Sequence, residues 1–144
     1  MVFLMINVKT LMLLAIVCVI AVSCARFFSK GASNAQLLTA FSNVNADEFQ
    51  TLIADPNVQL LDVRPQEEFD EGRIAGATLV DANDSDFVQK AMAVLDKQRP
   101  VAVYCRSGRR SARAAMQLCD QGYHVTNLSG GVIAWQDAGK ALIK

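Results

Sequence analysis

Beyond residue 40, short apolar runs (Val58–Val63, Ala77–Val80, Val101–Tyr104 and Tyr123–Thr126) alternate with segments of helical pattern. No other feature constrains the fold as much. Brief apolar runs bounded by Pro and Gly are buried strands, and the helices between them allow parallel crossover connections. Asn45-Ala46-Asp47-Glu48 reads as a capping box opening a helix through Phe49, Leu52 and Ile53 that ends before Pro56. Gln66–Glu71 is predicted as a helical turn stopped by Gly72, and Asp86–Leu95 as a helix with Phe87, Met92 and Leu95 inward. Ser111–Gln121, ended by Gly122, and Val132–Ala138 complete the predicted helices. The expected class is α/β, three layers, with a mostly parallel central sheet flanked by helices on both faces. Ligands in such sheets bind beyond the carboxyl ends of the strands. That rule selects Asp62-Val63-Arg64, Val80-Asp81 and the stretch from Cys105 onward.

The chain has 144 residues, and its beginning differs from the rest. Lys9 precedes an unbroken apolar run, Leu11–Val22, followed by small residues. This is the form of a secretory signal, shorter than the run of about 18 expected of a spanning helix. Ala21-Val22-Ser23-Cys24 resembles a bacterial lipobox with Ala21 where Leu is preferred, which makes Cys24 the lipidation candidate. Ser23-Cys24-Ala25 also suits ordinary cleavage to a soluble secreted protein, and an uncleaved anchor is the third reading. The expected organisation is a leader over 1–25, a polar linker over 26–40 containing SKGASNAQ, and one domain over 41–144, placed in the cell envelope. The remainder of the chain after the leader is large enough for a single core. The formal net charge is zero, so no overall field favours nucleic acid, and affinity for an anion must come from local charge. Oligomeric state is not legible.

Cys18 and Cys24 fall in the leader, leaving Cys105 and Cys119 in the domain. Two cysteines make no disulfide framework, and no second Cys or His stands at zinc spacing, so neither metal nor other cofactor is expected. Cys119 reads as a small core residue on a helix, with a resolving thiol as the alternative. The only histidine, His124, lies at a predicted strand start and reads as surface or structural, so no Cys–His pairing is available.

Cys105-Arg106-Ser107-Gly108-Arg109-Arg110-Ser111 directly follows the strand VAVY and precedes a helix. The expectation is a thiol held at the rim of the sheet rather than drawn into the core. Loop amides and the helix N-terminus point N–H groups into the concavity, which favours an anion. Gly108 permits the turn. Arg106, Arg109 and Arg110 add positive charge, and the combination favours thiolate, the nucleophilic form. The alternative is a solvated basic loop with an incidental cysteine.

These residues resemble the rhodanese family, and the likeness runs from about Val44 to Trp135. CRSGRRS resembles the family's six-residue Cys loop. Upstream, Leu61-Asp62-Val63-Arg64, Glu68-Phe69 and Gly72-Arg73-Ile74-Ala75-Gly76-Ala77 resemble its DVR…E(Y/F)…GHIxGA segment, with Arg73 where His is usual. Downstream, Leu118, Gly122-Tyr123, Val125, Leu128, Gly130-Gly131 and Ala134-Trp135 resemble its closing pattern. The resemblance implies a rhodanese-like fold and a sulfurtransferase in which Cys105 carries sulfane sulfur as a persulfide. The implied partners are a small anionic donor such as thiosulfate or polysulfide and a thiol or cyanide acceptor. It implies substrate binding by Arg106, Ser107, Gly108, Arg109, Arg110 and Ser111, with Arg106 assisting the donor. Arg110 either binds oxyanion or pairs with Asp62. Asp62 and Arg64 are expected as ion-pair partners beside the pocket, Gly130-Gly131 as a tight turn and Trp135 as core.

Two other functions compete. A phosphatase or arsenate reductase of the same fold needs a loop one residue longer; here Arg109 and Arg110 are the fourth and fifth residues after Cys105, and the sixth is Ser111. A non-catalytic binding module of this family often lacks the Cys, which this chain retains.

Overall fold

The computed structural model describes residues 41–144. The leader, the linker and Cys24 lie outside them. The described residues form β1 (Ser42–Val44), α1 (Ala46–Ile53), β2 (Gln59–Asp62), α2 (Gln66–Glu71), β3 (Thr78–Leu79), α3 (Phe87–Val94), β4 (Val101–Tyr104), α4 (Arg109–Asp120), β5 (Val125–Leu128) and α5 (Gly131–Asp137). The five strands make one sheet in the order β1-β5-β4-β2-β3, parallel at every pairing. No helix among the described residues is long and apolar enough to cross a membrane.

Strand side chains alternate between faces, so one run feeds two cores. Leu61, Val63, Val101, Val103 and Val125 pack under α3 and α4 against Phe87, Ala91, Ala114, Ala115 and Leu118. Leu60, Ala102, Tyr104 and Leu128 pack on the other face against Ala46 and Phe49 of α1 and Val132 and Trp135 of α5. The rings of Tyr104 and Trp135 both meet Phe49 edge-on. These two cores make the three-layer α/β architecture expected.

The capping box forms as read. The Asn45 side chain accepts from the backbone N–H groups of Asp47 and Glu48, and the Glu48 carboxylate accepts from the Asn45 N–H. Other details differ. β1 went unforeseen because Ser-Asn-Val has no apolar run; it pairs with β5, aligning Asn43 with Asn127. β5 begins at Val125 rather than Tyr123, because the C-terminal turn of α4 claims Gly122 and Tyr123 by hydrogen bonds to Cys119 and Leu118 carbonyls. Met92, expected inward, is exposed; the inward pair is Phe87 and Ala91, one turn apart on α3, and Met92 follows Ala91 onto the outer face.

Candidate active site

β4 lies between β2 and β5, and its alternation decides where Cys105 points. Continuing the face of Val101 and Val103, the Cys105 side chain turns toward α4 and is fully buried. The expectation of a thiol at an open rim is therefore corrected: the sulfur sits in the apolar layer beneath the start of the helix. It is nevertheless not packed as an ordinary core thiol. The Gly108 N–H donates to Sγ at 3.2 Å, and the Ser111 hydroxyl lies 3.3 Å from Sγ.

The local chain makes those contacts possible. Gly108 has φ 84, the left-handed region that glycine enters freely, and the turn there starts α4 at Arg109, two residues before the predicted start. No side chain caps this end of α4, and helical geometry leaves its first N–H groups without intrahelical partners. Ser111 thus falls in the first turn of α4, where its hydroxyl reaches back to the sulfur.

The loop is also held from behind. The Val132 N–H donates to the Cys105 carbonyl at 2.9 Å and the Ile133 N–H to the Arg106 carbonyl at 3.2 Å. In a trans peptide the carbonyl and the next N–H point in opposite directions, so fixing these carbonyls against α5 turns the N–H groups of Arg106 and Ser107 the other way. Gly131 makes the approach possible. A Cβ there would collide with the Cys105 carbonyl oxygen and come within 2.6 Å of the Arg106 carbonyl. The Gly130-Gly131 pair is therefore more than a turn: its second glycine is the surface on which the Cys loop rests. Asn127, buried on β5, donates to Asn43 at 2.7 Å and approaches the Gly108 carbonyl at 3.4 Å. Nothing in the linear pattern marked Asn127, because its neighbour in space is on the unforeseen strand β1.

Burial alone pushes the Cys105 thiol up; the Ser111 hydroxyl, with the backbone amides of Ser111, Ser107 and Gly108, more than offsets it, and the thiol lies below its ordinary range. Ser111 thus acts on the sulfur itself, where substrate contact had been expected. For Cys119, burial pushes the thiol up, which leaves it protonated and inert as a core residue.

The charged groups are distributed unequally. Arg106 and Arg109 are exposed, with no carboxylate at ion-pair distance among the described residues. Arg110 pairs with Glu68 of α2 at 2.7 Å and not with Asp62, because Asp62 is already taken. Its oxygens accept from Arg64 Nε at 2.9 and 3.0 Å and from Nη2 at 2.6 Å, and the same Nη2 donates to the Gly72 carbonyl at 2.9 Å. Both residues are buried, and the Arg64 guanidinium lies over the Tyr104 ring at 5.5 Å. This pair braces the end of β2 beside the loop. Arg73, in the usual His position, stacks its guanidinium over Phe69 at 4.8 Å.

Two clefts flank the loop. One of about 310 Å³ is lined by residues including Arg64, Glu68, Glu71, Arg106 and Val132; the other, of about 600 Å³, by Ser107, Arg109, Arg110, Ala112 and Arg113. No group of three or more potential metal ligands occurs among the described residues. The chemistry this arrangement supports is nucleophilic attack by a buried, amide-ringed thiolate on a small electrophile.

A cysteine loop between a central parallel strand and a helix N-terminus, locked by a glycine pair from the next crossover, defines a Cys-loop α/β protein. The chain belongs to the rhodanese-like domain family, whose model matches residues 45–138. It is similar to the thiosulfate sulfurtransferase GlpE of Shewanella oneidensis, 33% identical over 103 residues covering 70% of this chain and 98% of that one. It is likewise similar to a sulfurtransferase of Allochromatium vinosum, 34% identical over 104 residues, covering 71% and 94%. Among solved structures, the rhodanese-like domain protein of Staphylococcus aureus matches with a TM-score of 0.61 at 28% identity, over 72% of this chain and all of that one. A rhodanese-related protein of Thermoplasma volcanium matches at 0.63 and 25%, over 72% and 98%.

Proposed function

We propose that the protein is a thiosulfate or polysulfide sulfurtransferase working through a Cys105 persulfide. Family membership and the sulfurtransferase names of its relatives support transfer of sulfur. The observation that carries the mechanism is the convergence of the Gly108 N–H and the Ser111 hydroxyl on Sγ. In the first half-reaction the thiolate attacks the outer sulfur of thiosulfate, the donor S–S bond breaks, and sulfite leaves with the electron pair. The amides that stabilised the thiolate then hold the terminal sulfur of Cys105–S–S⁻. In the second, a thiol or cyanide attacks that sulfur and Cys105 departs as thiolate. Arg106 meets the anionic donor at the mouth. Incubation with thiosulfate should add one sulfur atom to Cys105 by mass spectrometry, and Cys105→Ser should abolish both this gain and transfer to cyanide. A wild-type protein that gains no sulfur would favour a binding module, and aryl phosphate hydrolysis at a comparable rate would favour a phosphatase.

The apolar run ahead of Cys24 supports export to the cell envelope with Cys24 as a lipid attachment point. Labelled palmitate should attach to the full-length protein and not to Cys24→Ala; equal labelling of both would remove the lipoprotein reading.

A further inference from the structure

The geometry points to Glu68 as the residue that sets how many negative charges a sulfur donor brings to this site, an inference that rests on the sulfurtransfer reading. Arg110 stands at the end of the Cys loop, where its guanidinium is a natural second cation for an oxyanion. Its Nη2 is instead engaged by Glu68 Oε1 at 2.7 Å, across 42 positions of sequence, with both side chains roughly three-quarters shielded from water. The other oxygen of the same carboxylate, Oε2, is excluded from solvent and has no hydrogen-bond donor. Glu68 as a residue lines the 310 Å³ cleft that Arg106 also lines. Arg109 and Arg110 line the second cleft, whereas in the first the guanidinium groups of Arg64 and Arg106 are matched by the carboxylates of Glu68 and Glu71. The balance is neutral, although the loop sequence taken alone is strongly cationic.

A carboxylate so placed acts in two ways. It occupies Arg110, leaving Arg106, Arg109 and the loop amides to meet the donor, and its negative charge stands in the lining of the cleft. A donor with one negative charge is held by Arg106 without penalty, whereas a second charge meets Glu68. Wild-type protein therefore favours monoanionic donors, such as organic thiosulfonates and hydropolysulfides, over dianionic thiosulfate. The chemistry is the same for both classes. The Cys105 thiolate bonds to the outer sulfur, the donor S–S bond breaks, and sulfite leaves from thiosulfate or sulfinate from a thiosulfonate, with total charge conserved.

The test compares kcat/KM for thiosulfate and benzenethiosulfonate in wild type, Glu68→Gln and Glu68→Asp, with cyanide as acceptor and thermal midpoints measured in parallel. Glu68→Gln frees Arg110 and removes one negative charge, so the thiosulfate-to-thiosulfonate ratio should rise about tenfold, the scale of one partly screened charge. Inhibition by inorganic phosphate should strengthen in step. Glu68→Asp keeps the charge and should keep the wild-type ratio even where stability falls. An equal change for both donors in Glu68→Gln, or a ratio that falls, overturns the assignment and leaves Glu68 as a strut between α2 and α4. Failure of wild type to form a persulfide with either donor is a separate result that overturns the sulfurtransfer reading itself.

Discussion

A thiol with no exposed surface and an ionised thiol are usually opposites, because burial penalises charge. At Cys105 the conflict is settled by hydrogen bonds: donors from Gly108 and Ser111 reach the sulfur that the apolar layer encloses. The direction of that shift sets the sign of the pH dependence. A folded-state value below the unfolded thiol's means that the unfolded chain binds the proton over the window between them. This contribution to stability is complete above the unfolded value and is lost as pH falls through the folded one. The proposed persulfide formation should have its acid limb at the folded value, hence below the ordinary thiol range. Ser111→Ala removes one charge-assisted hydrogen bond and leaves the amides, so the limb should move up in pH. Persulfide formation at neutral pH should slow about tenfold, at the lower end of what such a bond contributes. Stopped-flow sulfite release against pH checks it; an unmoved limb would show that the hydroxyl merely fills space.

Between elements, the active loop is fixed by α5 as much as by α4. The Gly131 backbone lies where any side chain would strike the Cys105 and Arg106 carbonyls, whereas Gly139, also left-handed at φ 73, faces open space. The two glycines separate conformational cost from collision. Gly139→Ala should cost about 1 kcal/mol, the left-handed penalty alone. Gly131→Ala should cost about 3 kcal/mol or more, with sulfur transfer lost, because the loop must move off its support. Urea midpoints with thiosulfate assays on the folded fraction distinguish them; equal costs would refute the packing account.

Across the whole molecule, one buried ion pair ties the sheet to the surrounding loops. Asp62 at the end of β2 accepts from Arg64, which also donates to Gly72 and covers Tyr104; the Tyr104 hydroxyl in turn accepts from the Ile74 N–H at 3.1 Å. Arg64→Met strands the Asp62 carboxylate and should destabilise by about 3–5 kcal/mol, while Arg64→Met combined with Asp62→Leu should cost clearly less, because neither charge is then orphaned. A double-mutant cycle from chemical denaturation measures the difference. Additive costs would mean that the two groups do not depend on each other.

Residue order alone was enough to reveal the alternation of strand and helix, the capping box at Asn45 and the cysteine loop at the end of VAVY, because these depend on neighbours in the chain and on the periods of helix and strand. Contacts that join distant segments were out of its reach. Arg110 pairs with Glu68 and not Asp62, Asn127 meets Asn43, and Gly131 supports the Cys105 carbonyl. Burial of the sulfur belongs to the same group, since the side of the sheet facing α4 is settled only when the layers close. A list of residues specifies local propensity and charge; which charges cancel, and which amides converge on one atom, depends on packing in three dimensions.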